Sequence, residues 1–194
     1  MLINPIEIIG NWDKGFVLDK HISKSEFLGN DIYGYSQFKT ERTKLGELVY
    51  QLKYQNNFLA LDEIIIIIKS FLDNWKELKM VDIILPVPSS KIWPYQPVNE
   101  ICKKIAEYLN INTTDKVLKK TSNEESKNMN VDEKKVKNTI IALKKANKRH
   151  NILLVDDLFE SGETLNECTR VLKQDELLNK IYVLAMTKTK DLKW

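Results

Sequence analysis

The sequence has only two cysteines in 194 residues, and they are far apart. Cys102 and Cys168 lack the close spacing of a structural zinc site or a disulfide framework, and both fall on apolar faces of predicted helices as small core residues. The run of five isoleucines at residues 64–68 is far too short to cross a bilayer. The start of the chain lacks the basic and apolar segments of a signal peptide. We therefore expect a cytoplasmic protein with no membrane partner.

Two common nucleotide-binding sequences are also absent. Neither the Gly-x-x-x-x-Gly-Lys-Ser/Thr loop nor the Gly-x-Gly-x-x-Gly fingerprint occurs. The formal net charge of +3 is too small to argue for a nucleic-acid partner by itself. Hydrophobic residues make up 43% and charged residues 29% of the chain, as in ordinary globular domains, and the length suffices for one domain with a full core.

The most informative segment is residues 151–165, in which an apolar stretch leads through two aspartates into a small-residue loop and an amphipathic helix. Residues 152–155 are aliphatic and fit a strand buried on both faces of a parallel sheet. The loop can turn its N–H groups toward one point at the helix N-terminus, where unpaired donors and the helix dipole favour an anion. Asp156 and Asp157 fall at the carboxyl end of the strand, where open α/β sheets place ligands.

This combination of a carboxylate pair and a phosphate cradle suits a ligand with a phosphate at one end and hydroxyls or a metal ion further along. A phosphorylated sugar has that form. The alternative is an ordinary strand-to-helix turn in which aspartate and serine serve only as caps.

Periodicity along the rest of the chain predicts alternating strands and helices. One helix starts at Thr40 or Thr43, and two more cover about residues 59–78 and 96–109. Further predicted elements are strands at residues 81–85, 117–118 and 180–186 and a polar, mobile loop at residues 119–137. The alternation over residues 81–186 indicates a doubly wound α/β sheet.

The first 40 residues have a different character. We predict two short strands, at residues 5–9 and 15–21, and a division into an N-terminal hood or appendage, residues 1–40, and an α/β domain, residues 41–194. The aromatic residues of this part form either a lid over a ligand or the core of a small appendage. They are Trp12, Phe16, Phe27, Tyr33, Tyr35 and Phe38.

The central segment resembles the diphosphoribosyl-binding motif of the type I phosphoribosyltransferases, in which four apolar residues and two acids precede a loop ending in Gly-x-Thr or Gly-x-Ser. Residues 83–91 resemble the strand and pyrophosphate loop of the ComF-type members, and residues 43–54, which end in Leu-Lys-Tyr, resemble their preceding helix. Residues 117–121 stand where those proteins have an Arg-rich strand end before a flexible loop. The segments occur in the family's order.

The resemblance implies a type I phosphoribosyltransferase-like doubly wound parallel sheet of five strands with a small N-terminal hood. It also implies a bacterial glycosyltransferase that binds phosphoribosyl pyrophosphate with Mg²⁺ and transfers the ribosyl phosphate to a nitrogen nucleophile, such as a nucleobase or another amine. The sequence does not identify the acceptor. Oligomeric state is open as well, with a homodimer as one option because many relatives pair.

The resemblance also assigns roles to particular residues. Asp156 and Asp157 would hold the ribose hydroxyls and are candidate ligands of Mg²⁺, which would bridge the ribose to pyrophosphate. The expected 5′-phosphate loop consists of Glu160, Ser161, Gly162, Glu163 and Thr164. The expected pyrophosphate loop consists of Pro88, Ser89, Ser90 and Lys91.

The chain departs from the ComF pattern in three places. It has no cysteine-based zinc ribbon, residues 95–99 lack the arginine of the family's Arg-Gly-Phe-Asn-Gln segment, and Glu160-Ser161 replaces two threonines. Hypoxanthine-guanine phosphoribosyltransferases have an acidic residue where this chain has Glu160, as the base toward the purine ring. We therefore predict Glu160 as the general base. The alternative is a solvated glutamate at a helix start, where the dipole favours it.

A basic run supports a second class of function. Residues 134–149 contain seven Lys or Arg and no acid. The run is a nucleic-acid patch, an attractor for a polyphosphate substrate, or a solvated face. Because ComF relatives are associated with DNA uptake, and similar domains accompany bacterial defence modules, the alternative function is a nucleic-acid-associated or partner-regulated protein that binds or senses without turnover. His21 and His150 are isolated, and the sequence gives neither a role.

Overall fold

The computed structural model describes residues 3–89, 95–121 and 140–189. These residues form ten strands and four α-helices. The strands are β1 (Ile6–Glu7), β2 (Lys14–Lys20), β3 (Ile22–Asn30), β4 (Ser36–Arg42), β5 (Ile83–Pro86), β6 (Asn112–Thr113), β7 (Leu118–Lys120), β8 (Ile140–Ala142), β9 (His150–Phe159) and β10 (Leu178–Lys188). The helices are α1 (Lys44–Tyr54), α2 (Ala60–Asn74), α3 (Pro97–Leu109) and α4 (Glu163–Leu172).

Six strands build the central sheet, in the order β1-β2-β10-β9-β5-β6. Five of them run parallel to one another, and the short edge strand β1 pairs antiparallel with β2. This confirms the predicted parallel sheet and adds an antiparallel edge. β9 lies between β10 and β5 and is buried from Ile152 to Val155, which explains its unbroken aliphatic sequence.

Helices cover both faces of this sheet, as a doubly wound fold requires. On one face, α1, α2 and α3 pack on Leu153 and Val155 of β9. On the other face, α4 packs on Ile152 and Leu154. Successive side chains of a strand point to opposite faces, so β9 contributes alternately to the two cores. The same alternation continues through the two aspartates, Asp156 and Asp157, of this strand.

The predicted helices are present, with two refinements. Thr43 is the N-cap of α1, and its side chain accepts a hydrogen bond from the N–H of Gly46. The expected helix over residues 59–78 ends at Asn74, and a 3-10 helix, Lys76–Met80, follows. The chain leaves the α-helix at Trp75, which is extended and packs its ring against Phe16, Phe71 and Tyr182. Burial of this ring outweighs continuation of the helix.

The first 40 residues do not lie together as one unit. β1 and β2 belong to the central sheet, with Val17 and Leu18 in its core, whereas β3 and β4 form a separate antiparallel hairpin. Trp12 is buried and Phe16 packs on Phe71, so these two aromatics are core residues. The hairpin carries the other aromatics on its surface, and they are Phe27, Tyr33, Tyr35 and Phe38. Whether the hairpin acts as a hood stays a prediction.

The strand expected at residues 117–118 does not join the central sheet. β7 pairs antiparallel with β8 in a small sheet of its own, and the parallel edge position belongs to β6. The predicted mobile loop, residues 119–137, begins within β7 and otherwise falls almost wholly outside the described residues. Ser90 and Lys91 of the expected pyrophosphate loop also lie outside them, as does the first part of the basic run.

Candidate functional site

The sequence-predicted site residues that the structure describes meet at the carboxyl ends of β9 and β5. β9 extends beyond its apolar residues to Phe159, so Asp156 and Asp157 lie inside the strand and not after it. Pro86 of β5 is paired with Val155, and the N–H of Val87 donates to the carbonyl of Val155 over 2.9 Å. The segment after β5 therefore lies beside the two aspartates.

Two adjoining cavities open at this edge. The first is bounded by the two aspartates, by the segment after β5 and the start of α3, and by two lysines; its lining includes Lys53, Val87, Pro88, Ser89, Lys120, Asp156, Asp157 and Thr164. The second is formed by residues 158–165 together with Asp156. Asp156 and Thr164 line both cavities, so a single elongated ligand could contact the aspartates and the loop together.

The loop between β9 and α4 has the geometry of an anion cup. Gly162 is the N-cap of α4 with a φ of 79°, a left-handed conformation that glycine adopts without strain, and no side chain caps the helix. The N–H of Glu163 donates to Ser161 Oγ over 3.4 Å. Glu160, Ser161 and Glu163 are exposed. Apart from the N–H of Glu163, the first turn of α4 thus keeps its backbone donors available for an anion.

The two aspartates occupy different environments because the strand turns them to opposite faces. Asp157 points to the face of α1, where its Oδ2 forms an ion pair with Lys53 Nζ at 2.8 Å. Burial acts to lower the pKa of Lys53, but the charge of Asp157 and the hydrogen bond to it outweigh burial and raise that pKa above its ordinary value. Lys53 is therefore a firmly charged cation at neutral pH.

Asp156 has no such partner among the described residues. Its Oδ1 accepts a hydrogen bond from the N–H of Asp157 at 2.8 Å. Burial, and after it the negative charge of Asp157, raise the pKa of Asp156 to about 7. A cation next to Asp156 would relieve both effects. The carboxylates and the adjoining cavity thus suit Mg²⁺ shared with a phosphorylated ligand, because Mg²⁺ takes few protein oxygens when phosphates supply others.

Three residues that sequence reasoning did not single out belong to the site or its border. Lys53 and Lys120 line the first cavity. His21 lies at the border, where its Nδ1 is 3.0 Å from Thr187 Oγ1, and this hydroxyl donates to the carbonyl of Asp157. Burial and the nearby Arg42 hold the pKa of His21 below its ordinary value. Lys53 was within the quoted Leu-Lys-Tyr motif and Lys120 at a strand end, but nothing in the sequence pointed to His21.

The described parts of the chain, residues 3–89, 95–121 and 140–189, lack two further kinds of feature. There, no group of three or more His, Cys, Asp or Glu side chains is placed to hold a metal ion by itself. None of the helices there combines the length and the hydrophobicity that a bilayer crossing needs.

Solved structures with a similar backbone include adenine phosphoribosyltransferases. Adenine phosphoribosyl transferase from Trypanosoma brucei, in complex with AMP, pyrophosphate and ribose-5-phosphate, has a TM-score of 0.50 at 14% identity, covering 94% of this chain and 73% of that one. The Leishmania tarentolae adenine phosphoribosyltransferase has a TM-score of 0.49 at 10% identity, covering 95% and 94%. Leishmania donovani UMP synthase has a TM-score of 0.42 at 15% identity, and the likeness covers 84% of this chain but only 28% of that one.

The protein has the fold of the type I phosphoribosyltransferases. No protein-family model and no curated protein matches the sequence. The likeness therefore shows the fold, and the ComF subfamily stays a prediction.

Proposed function

We propose that the protein is a phosphoribosyltransferase that binds phosphoribosyl pyrophosphate with Mg²⁺ and transfers the ribosyl phosphate to a nitrogen nucleophile such as a nucleobase. The observation that carries the proposal is the adjacency of the two cavities, with Asp156 and Thr164 shared between them. A carboxylate pair next to a helix N-terminus suits a ligand that carries hydroxyls close to a phosphate, and a 5-phosphorylated ribose is such a ligand.

In this proposal the cup of residues 160–164 takes the 5′-phosphate through backbone N–H groups, with Ser161 and Thr164 adding hydroxyls. Asp156 and Asp157 face the ribose hydroxyls and stabilise the positive charge that develops on the sugar. Pro88, Ser89, Ser90 and Lys91 would meet the pyrophosphate, and Lys120 adds a cation on the same cavity. Asp156 and Asp157 would hold Mg²⁺ together with the ligand, and the ion would supply positive charge against the phosphates.

The acceptor would be deprotonated by Glu160. This glutamate is exposed and lines the second cavity, so its carboxylate is accessible to a nucleophile bound there. We further propose residues 1–40 as the source of a hood, to which the β3–β4 hairpin contributes the part outside the central sheet. Its exposed aromatic side chains suit the flat face of a nucleobase.

Calorimetric titration with phosphoribosyl pyrophosphate and Mg²⁺ tests the binding step, and pyrophosphate release with a panel of nucleobases tests the transfer. We expect wild-type protein to bind and Asp156→Asn/Asp157→Asn to lose binding. Glu160→Gln should bind normally but release no pyrophosphate. Wild-type protein that shows no binding at all would refute the proposal, and a fully active Glu160→Gln would remove Glu160 from the mechanism.

A nucleic-acid-associated role is the second candidate, and the basic run favours it. Lys144, Lys145, Lys148 and Arg149 are exposed and precede the first residue of β9. Arg149 lies seven residues before Asp156 along an extended strand, about 20 Å away. Lys148 and Arg149 therefore lie at the opposite end of β9 from the two aspartates, and they are poorly placed to attract a polyphosphate to the cavities. Retardation of DNA that falls steeply with salt and is unaffected by phosphoribosyl pyrophosphate would support this role; no retardation at low salt would exclude it.

A further inference from the structure

On α1, the ion pair formed by Lys44 is well exposed, unlike the ion pair between Lys53 and Asp157. Their side chains are only 27% and 13% exposed. Lys44, on the same helix, pairs with Glu63 at the same distance of 2.8 Å, but those side chains are 57% and 52% exposed. Moving two charges out of water carries a desolvation penalty that their attraction often fails to recover, so a half-buried pair is weak grounds for stability. Its position next to the cavities calls for another explanation.

The surroundings hold Lys53 firmly in place. Leu52, the preceding residue, is fully buried, and its carbonyl accepts a hydrogen bond from the hydroxyl of Tyr95. The ring of Tyr95 in turn packs on Phe58, with centroids 4.6 Å apart. The end of α1 is thereby tied to the segment that leads into α3. Lys53 is thus presented to Asp157 and to the first cavity by packed neighbours.

The charges around the aspartates show what this lysine changes. Asp157 is neutralised by Lys53, whereas Asp156 has no ion-pair partner in the described part of the chain. Two uncompensated carboxylates at this edge would repel a ligand that itself carries several phosphate charges. With Lys53 in place, the charge of Asp157 is compensated and that of Asp156 is not, and Asp156 lines both cavities.

We infer that Lys53 is a positioning residue that acts through Asp157: it holds and neutralises this carboxylate so that an anionic sugar phosphate can lie against Asp156. The inference rests on the proposed function and adds a division of labour within the aspartate pair. Asp156 meets the ligand, and Asp157 does so only while Lys53 compensates its charge.

The experiment measures the affinity for phosphoribosyl pyrophosphate with Mg²⁺ in five proteins: wild type, Lys53→Met, Lys53→Arg, Asp157→Asn and the double variant Lys53→Met/Asp157→Asn. Lys53→Met should weaken binding by about tenfold or more, the value of a hydrogen bond to a charged group. Lys53→Arg should restore most of it. In the Asp157→Asn background, Lys53→Met should have little further effect, because the two residues act as one unit.

The control is Lys44→Met, which removes an equally short ion pair from the same helix and should leave the affinity unchanged. A purely structural role for Lys53 would lower thermal stability and leave the affinity unaltered in folded protein, and that result would overturn the inference. Additive losses from Lys53→Met and Asp157→Asn would overturn it as well. If wild-type protein does not bind phosphoribosyl pyrophosphate, the proposed function is refuted, and the inference with it. If wild-type protein binds and Lys53→Met binds equally tightly, only the inference is refuted.

Discussion

Substituting Gly162 by alanine probes the anion cup with the smallest change the chain allows. The residue has a φ of 79°, where an L side chain costs about 1–2 kcal/mol relative to glycine. The new Cβ would also lie 3.1 Å from Cε2 and Cζ of the buried Phe159 ring, which must give way by a few tenths of an ångström. Together these effects should lower the melting temperature by about 2–8 °C for a chain of this size.

The more specific consequence concerns the ligand. Because Gly162 orients the N–H groups that begin α4, Gly162→Ala should weaken binding of ribose 5-phosphate by at least about tenfold, the loss of one charge-assisted hydrogen bond. Gly34→Ala is a matched control, since Gly34 has a φ of 83° and nothing within 4 Å of its Cβ position. Calorimetric titration of both variants checks this. If Gly162→Ala binds ribose 5-phosphate as tightly as wild type does, the cup is not the phosphate site.

Three further substitutions test the electrostatics and the packing around the site. The pKa of Asp156 is raised to about 7 in the folded chain, so its contribution to stability is fully present below the unfolded-state pKa and is lost as pH rises through about 7. Asp156→Asn should therefore raise the unfolding free energy at pH 8, by at most about 4 kcal/mol, and the gain should shrink toward pH 4. Asp157→Asn should instead destabilise the protein, because it leaves Lys53 without its partner. Denaturant unfolding of both variants at pH 4 and pH 8 measures the two effects. A pH-independent effect of Asp156→Asn would contradict the raised pKa of Asp156. Gly46→Ala places a Cβ 2.2 Å from the carbonyl oxygen of His21. It should therefore destabilise the protein by about 1–3 kcal/mol, although alanine favours helices. A Gly46→Ala variant that is more stable than wild type would show that α1 is free to shift.

The parts of the fold that the sequence predicts well depend on local patterns. The aliphatic residues 152–155, the aspartates and the glycine-containing loop occupy consecutive positions, and their order alone predicts a buried strand, a turn and the start of α4. Thr43 as a helix cap is likewise a local signal. The sequence predicts the resulting fold for the same reason, because strands and helices that alternate along the chain form a doubly wound sheet.

What the sequence could not predict depends on contacts between distant residues. β2 pairs with β10, more than 160 residues later, so nothing local distinguishes it from a strand of an N-terminal appendage. The local pattern at Leu118 predicts a strand but does not show which strand it pairs with, and β7 pairs antiparallel with β8 and not within the central sheet. Lys53 and Asp157 are 104 positions apart, and only packing of α1 on the sheet brings them together.

Binding of ribose 5-phosphate tests the central claim most directly, because this ligand has the phosphate and the ribose hydroxyls but no pyrophosphate. We predict that wild-type protein binds it in competition with phosphoribosyl pyrophosphate. Asp156→Asn alters the aspartate pair and Ser161→Ala/Thr164→Ala alters the cup, and each variant should weaken binding. Unchanged affinity in both variants would show that the aspartates and the cup do not hold the two ends of one sugar.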